Sequence, residues 1–136
     1  MNPEEEIRRT LAEFGRHLDE RRFVEWSELF CEDGVFGQTS GRDRILAEML
    51  AGQLATEPRL FRKHATVNTT IVVKGTSAVV SSDLLLFERW GESSWDFRFG
   101  KYEDVFRQVS ERWLIERRQL IWTANPIHDG NPVDGV

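Results

Sequence analysis

The stretch HATVNTTIVV, residues 64–73, marks where the chain changes character. Val, Thr and Ile crowd it, and such side chains suit a pleated, half-buried surface. His64, Thr66, Asn68 and Thr70 share one face of the implied strand, and Ala65, Val67, Ile71 and Val73 lean to the other. Downstream, Lys74-Gly75-Thr76 is a turn signal and residues 78–90 read as a second strand. Gly91-Glu92-Ser93-Ser94 turns the chain again, and residues 95–107 and 112–122 supply a third and a fourth strand. Strands this long exceed the usual ~5–6 residues, so their sheet should twist and curl.

Upstream of residue 64 the period is helical. Asn2 is placed to cap a helix, with Pro3 in its first position and Glu5 in its third. Ile7, Leu11, Phe14 and Leu18 recur at helical spacing to about Asp19. Glu20-Arg21-Arg22 is a connector. Residues 23–30 predict a second helix presenting Trp26, Leu29 and Phe30, with Asp33-Gly34 ending it. Val35-Phe36 predicts a small strand. Residues 42–54 predict a third helix, which Pro58 keeps from continuing. Helices followed by a meander of strands is an α+β arrangement. The expected fold is a cone: a curved antiparallel sheet packed on three N-terminal helices. Space the helices fail to fill would be a small-molecule pocket. The domain is placed at residues 1–124, with 125–136, holding two Pro and two Gly, as a loose tail.

Composition narrows the functional classes. The chain has 136 residues, 40% hydrophobic and 30% charged, which suits one folded domain. A net charge of -5 with Lys and Arg dispersed among acids argues against nucleic acid. The acidic start MNPEEEIRR lacks the apolar region of a signal peptide, and no apolar run reaches membrane-spanning length. A cytoplasmic protein without a membrane partner is expected. The single cysteine, Cys31, reads as a buried thiol. Three scattered His and no ligand-spaced Cys make a poor metal site, so neither metal nor cofactor is expected.

Four segments together resemble the SnoaL-like domains of the nuclear-transport-factor-like superfamily. They are HLDERRFVEW from His17 to Trp26 with Leu29-Phe30 and Asp33-Gly34, then Arg62-Lys63-His64 with Asn68 and Ile71, then Gly100-Lys101-Tyr102-Glu103-Asp104, and finally Trp113-Leu114-Ile115 with Arg118. The resemblance implies the cone-shaped roll, and it also implies pairing of two copies through the open sheet face. It extends to scytalone dehydratase and hexachlorocyclohexane dehydrochlorinase, which carry an Asp at the end of the first helix and a His opening the strand after the third. Asp19 and His64 stand in those places, and by resemblance they form a catalytic dyad. Asn68 follows His64 by four residues, as an Asn does in the dehydrochlorinase. Leu18 stands where the dehydratase has Tyr, and its second strand His has no counterpart in residues 77–89.

The chemistry of these residue types supports the same site. A neutral imidazole accepts a proton near pH 7, and a carboxylate on its other nitrogen fixes the tautomer and stabilises the imidazolium. Asp83, interrupting an apolar strand, is a second candidate acid. Asn68 and Tyr102 are candidate substrate contacts, the latter as a hydroxyl donor to an oxyanion. Trp26, Phe30 and Trp95 are candidate pocket walls. Asp104 is a candidate structural partner of Arg118 across adjacent strands. The plain alternative leaves His64 on a solvated strand face and Asp19 as an exposed helix-end acid.

The reading that follows is a cofactor-free lyase or isomerase acting on a small apolar or polycyclic molecule by proton abstraction. A non-catalytic ligand-binding or dimerisation module is the competing class. An accessory subunit of a ring-hydroxylating oxygenase, which would co-purify with a large iron-containing partner, is a third. Trp95, Phe97, Phe99, Trp113 and Trp122 offer more apolar surface than short helices can cover, which predicts a homo-oligomer, most simply a dimer.

Overall fold

The computed structural model describes residues 2–123 and the backbone of Ile127–His128 and Asn131–Pro132. Helix α1, Pro3–Asp19, starts where Asn2 accepts a hydrogen bond from the Glu5 amide at 2.9 Å, with three glutamates in its first turn facing the positive end of the helix dipole. Ile7, Thr10, Leu11, Phe14, Gly15 and Leu18 form its buried face. A short α2, Phe23–Ser27, leads into strand β1, Phe30–Phe36, and β2, Thr39–Ser40. Helix α3, Arg42–Ala51, and the single turn α4, Gln53–Thr56, are separated at Gly52, so the expected third helix is broken in two.

Four long strands complete the domain: β3, Leu60–Lys74; β4, Ser77–Trp90; β5, Asp96–Val109; and β6, Arg112–Trp122. They make a meander, and the six-stranded sheet runs β2-β1-β6-β5-β4-β3. The fold is α+β as the sequence implies, with one refinement: β1 joins β6 in parallel. Asp33-Gly34 therefore lies within a strand and does not end a helix. A Cβ at Gly34 would lie 2.9 Å from the Cys31 carbonyl oxygen and 3.1 Å from that of Ile115, so this glycine permits a close backbone approach. The tail beyond residue 123 falls largely outside the described residues; within it, Ile127–His128 (β7) pairs with Asn131–Pro132 (β8).

The helices fill the concave side of the sheet. Phe14 sits at the centre, with ring centroids 5.5 Å from Trp26, 6.1 Å from Phe30, 6.0 Å from Phe36 and 5.8 Å from Tyr102. Beneath it Arg118 makes a bidentate pair with Asp104, at 2.8 and 2.9 Å, both side chains fully buried. The Arg118 guanidinium stacks between the Phe14 ring at 4.2 Å and the Tyr102 ring at 3.6 Å. Cys31 is buried, and loss of solvation pushes its thiol pKa up, as for a structural thiol.

Candidate functional site

Sequence chemistry brings Asp19 and His64 together through two local devices. Gly15 lies one turn before Asp19, and a Cβ there would meet the His64 Cβ at 3.2 Å and its carbonyl oxygen at 3.4 Å. The missing side chain thus lets α1 pass close over β3. Past the helix end, Arg21 adopts φ +58 and its guanidinium donates to the Leu60 carbonyl, and to that of Glu57 at 3.4 Å, tying the connector to the start of β3. Sequence reasoning passed over Gly15 and read Arg21 only as part of a connector. Gly15 carried a signal nonetheless, because a glycine inside an amphipathic helix costs about 1 kcal/mol against alanine.

The resulting geometry is compact. His64 Nδ1 lies 2.7 Å from Asp19 Oδ1, and the His64 backbone N–H donates to the same carboxylate at 3.1 and 3.3 Å. Lys63 Nζ stands 3.6 Å from Asp19 Oδ2. The side chains of His64 and Asp19 are 8% and 10% exposed, so the contact is shielded but open along one side. That side is a groove of about 370 Å³ between α1 and β3, lined by Arg8, Leu11, Ala12, Gly15, Arg16, Asp19, Lys63, His64, Thr66 and Thr69.

The other expected site residues lie elsewhere. Asp83 stands on the convex face of the sheet, opposite the buried run Ser82, Leu84 and Leu86, because strand side chains alternate. It accepts a hydrogen bond from Asn68 Nδ2 at 2.9 Å. Asn68 is turned away from His64 by an irregularity between Val67 and Thr70, where Asn68 takes φ +52. Asp83 and Asn68 therefore form an exposed pair outside the groove. Trp26, Phe30 and Tyr102 are closed into the core, at 0%, 0% and 2% exposure, and wall neither this groove nor a second, more apolar one. That second groove, about 400 Å³, is lined by Phe36, Ile45, Met49, Leu54, Arg62 and Leu120 among others. Burial pushes the Tyr102 hydroxyl up to about 12, so it stays protonated. Trp95 is half exposed, with the Arg89 guanidinium 5.8 Å from its ring. Among the described residues no cluster of three or more His, Cys, Asp or Glu could hold a metal ion, and no helix is long and apolar enough to cross a membrane.

With cone, helices and groove in place, the comparison with known sequences is decisive for kinship: the SnoaL-like domain pattern matches residues 1–119. The chain belongs to the SnoaL-like domain family. Members of this family include cofactor-free isomerases, cyclases and dehydratases. A candidate scytalone dehydratase from Novosphingobium aromaticivorans superposes with a TM-score of 0.79 at 26% identity, over 97% of this chain and 93% of that one. An NTF2-like protein with a cystatin-like fold from the same organism gives 0.74 at 26% identity, over 86% and 79%. ActVI-ORFA of Streptomyces coelicolor shares the fold of this SnoaL-like domain, with a TM-score of 0.77 at 19% identity over 87% and 92%. No curated protein matches the chain.

Proposed function

We propose that this SnoaL-like protein is a cofactor-free enzyme of lyase or isomerase type acting on a small molecule, with His64 as general base and Asp19 as the residue that orients it. The observation that supports this is the 2.7 Å contact between Asp19 Oδ1 and His64 Nδ1 at the side of an open groove. A carboxylate facing Nδ1 favours the tautomer protonated there, which leaves the Nε2 lone pair free to take a proton from carbon. The Asp19 charge then stabilises the imidazolium. In an elimination the carbon–hydrogen electron pair becomes the new double bond, and the imidazolium proton leaves with the departing hydroxyl as water. In an isomerisation the same proton returns to another carbon. Base catalysis of this kind is worth roughly 10²–10⁴ in rate.

The test incubates the protein in D₂O with small hydroxylated and carbonyl compounds and follows exchange or elimination by proton NMR. Activity should fall roughly a hundredfold or more in His64→Gln and drop strongly in Asp19→Asn. It should stay near wild type in Asp83→Asn, whose side chain is on the far face. Turnover that survives His64→Gln at unchanged Tm refutes the assignment.

The convex face supports a second element of the reading, a two-fold dimer. Phe61, Phe87, Phe97, Phe99 and Ile121 expose 49%, 37%, 51%, 38% and 45% of their surface on that side of the sheet. An apolar patch of this extent marks an interface. Trp113, by contrast, is core. Light scattering at micromolar concentration should give a dimer mass that Phe97→Asp lowers, and a monomeric wild type would exclude it. On the non-catalytic alternative, this face is the functional surface and the NMR screen stays silent.

A further inference from the structure

The groove beside His64 is too charged to suit an apolar guest. Arg8, Arg16 and Lys63 line it with Asp19 as the one carboxylate, an excess of two positive charges on a chain whose net charge is -5. Among the described residues, Arg8 and Arg16 have no ion-pair partner, unlike Arg62, Arg107 and Arg118. Residues 8, 12, 15, 16 and 19 share one face of α1. Ala12 and Gly15 form a low floor between the two arginines, and Thr66 and Thr69 border the opposite wall with hydroxyls. An apolar ligand here would strip water from cations and return nothing, which is costly. An oxyanion returns charge-assisted hydrogen bonds, which arginine supplies in pairs.

We propose that this groove binds a small molecule bearing an oxyanion, a carboxylate or phosphate group, held by Arg8 and Arg16, with the rest of the molecule reaching the His64–Asp19 pair. This assigns a substrate class to the site proposed above and draws its functional meaning from that reading. Asp19 sets the polarity. Its charge repels an anion from the His64 end, so the oxyanion lies toward Arg8 and the reacting carbon lies toward His64. Arg8 and Asp19 are separated by about 16 Å of helix at 1.5 Å per residue, room for a small ligand lying lengthwise. The three cations are too few, and the chain too acidic, to hold a polyanion such as nucleic acid.

The test titrates inorganic phosphate into ¹⁵N-labelled full-length protein at pH 7 and constant ionic strength. Amide signals of Gly15, Lys63, Thr66 and Thr69 should shift saturably. The double variant Arg8→Gln/Arg16→Gln, altered at exposed positions, should weaken the apparent Kd about tenfold or more. The remote exposed control Arg44→Gln should not change it. His64→Gln should bind phosphate as wild type does, so loss of the base and loss of the anion site are read separately. Shifts that rise linearly without saturation, or that persist unchanged in the double variant, overturn the proposal.

Discussion

Gly15→Ala tests whether the helix–strand approach holds the site together. Two opposing effects meet at this position. In an exposed helix the change would stabilise by about 0.8–1.0 kcal/mol, because alanine is the better helix former. Here the new methyl would sit 3.2 Å from the His64 Cβ and 3.4 Å from its carbonyl oxygen, inside ordinary contact distance. One of the two atoms belongs to the backbone, so α1 and β3 must separate by a few tenths of an ångström. Overpacking of this sort costs roughly 1–3 kcal/mol. The net expectation is a loss of about 0–2 kcal/mol in urea unfolding, together with a weakened Asp19–His64 contact. Long-range ¹H–¹⁵N correlation of the His64 ring reads that contact directly, since separation from Asp19 releases the preference for the proton on Nδ1. Gly15→Ala should therefore show a mixed tautomer where the wild type shows one. A variant that gains the full propensity increment and keeps the wild-type tautomer would refute the reasoning.

Two further predictions concern the buried polar layer. Asp104→Ala should destabilise by about 3–5 kcal/mol because it strands a fully buried guanidinium, while Asp104→Leu with Arg118→Met should cost distinctly less; urea melts separate the two outcomes. Tyr102 holds its proton more tightly folded, near 12, than the ordinary 10 of the unfolded chain. Its contribution is therefore complete below pH 10 and is lost between pH 10 and 12 at about 1.4 kcal/mol per unit. Tyr102→Phe should remove that component of the alkaline slope, and parallel slopes for the two proteins would contradict it.

The sheet was legible where composition and turn chemistry agree. The β-branched run at 64–73 and the Gly75 turn, with φ +61, place β3 and β4 within a few residues of their observed bounds. Helix α1 was legible because Asn2, Pro3 and the acidic first turn all mark the same end. What failed depended on distant partners. Asp33-Gly34 looks like a helix terminus, and only the parallel neighbour β6 makes it strand. Asn68 was assigned by alternation, but alternation cannot register an inserted irregularity, and one extra residue reverses every face beyond it. Trp26 and Phe30 would look the same in sequence as core or as pocket wall. Phe14 from α1 and Phe36 from the far end of β1 decide it by packing against both rings.

Asp19 makes a structural contact besides the catalytic one proposed for it, and their separation determines how it should be probed. β3 is the last strand of the sheet, so the outward N–H of His64 has no strand partner. The Asp19 carboxylate accepts that N–H as well as the ring nitrogen, through Oδ1 at 3.1 and 2.7 Å. Replacing Asp19 with an apolar residue would leave a shielded backbone donor unpaired, at about 1–3 kcal/mol, and would confuse instability with lost chemistry. Asparagine keeps a carbonyl oxygen with two lone pairs in the place of Oδ1, enough for both bonds. It removes the charge that favours the imidazolium and turns an amide toward Lys63, which then has no carboxylate beside it. Asp19→Asn thus keeps the strand edge satisfied and changes the electrostatics of the ring. Among substitutions at this position it isolates the proposed catalytic duty from the structural one.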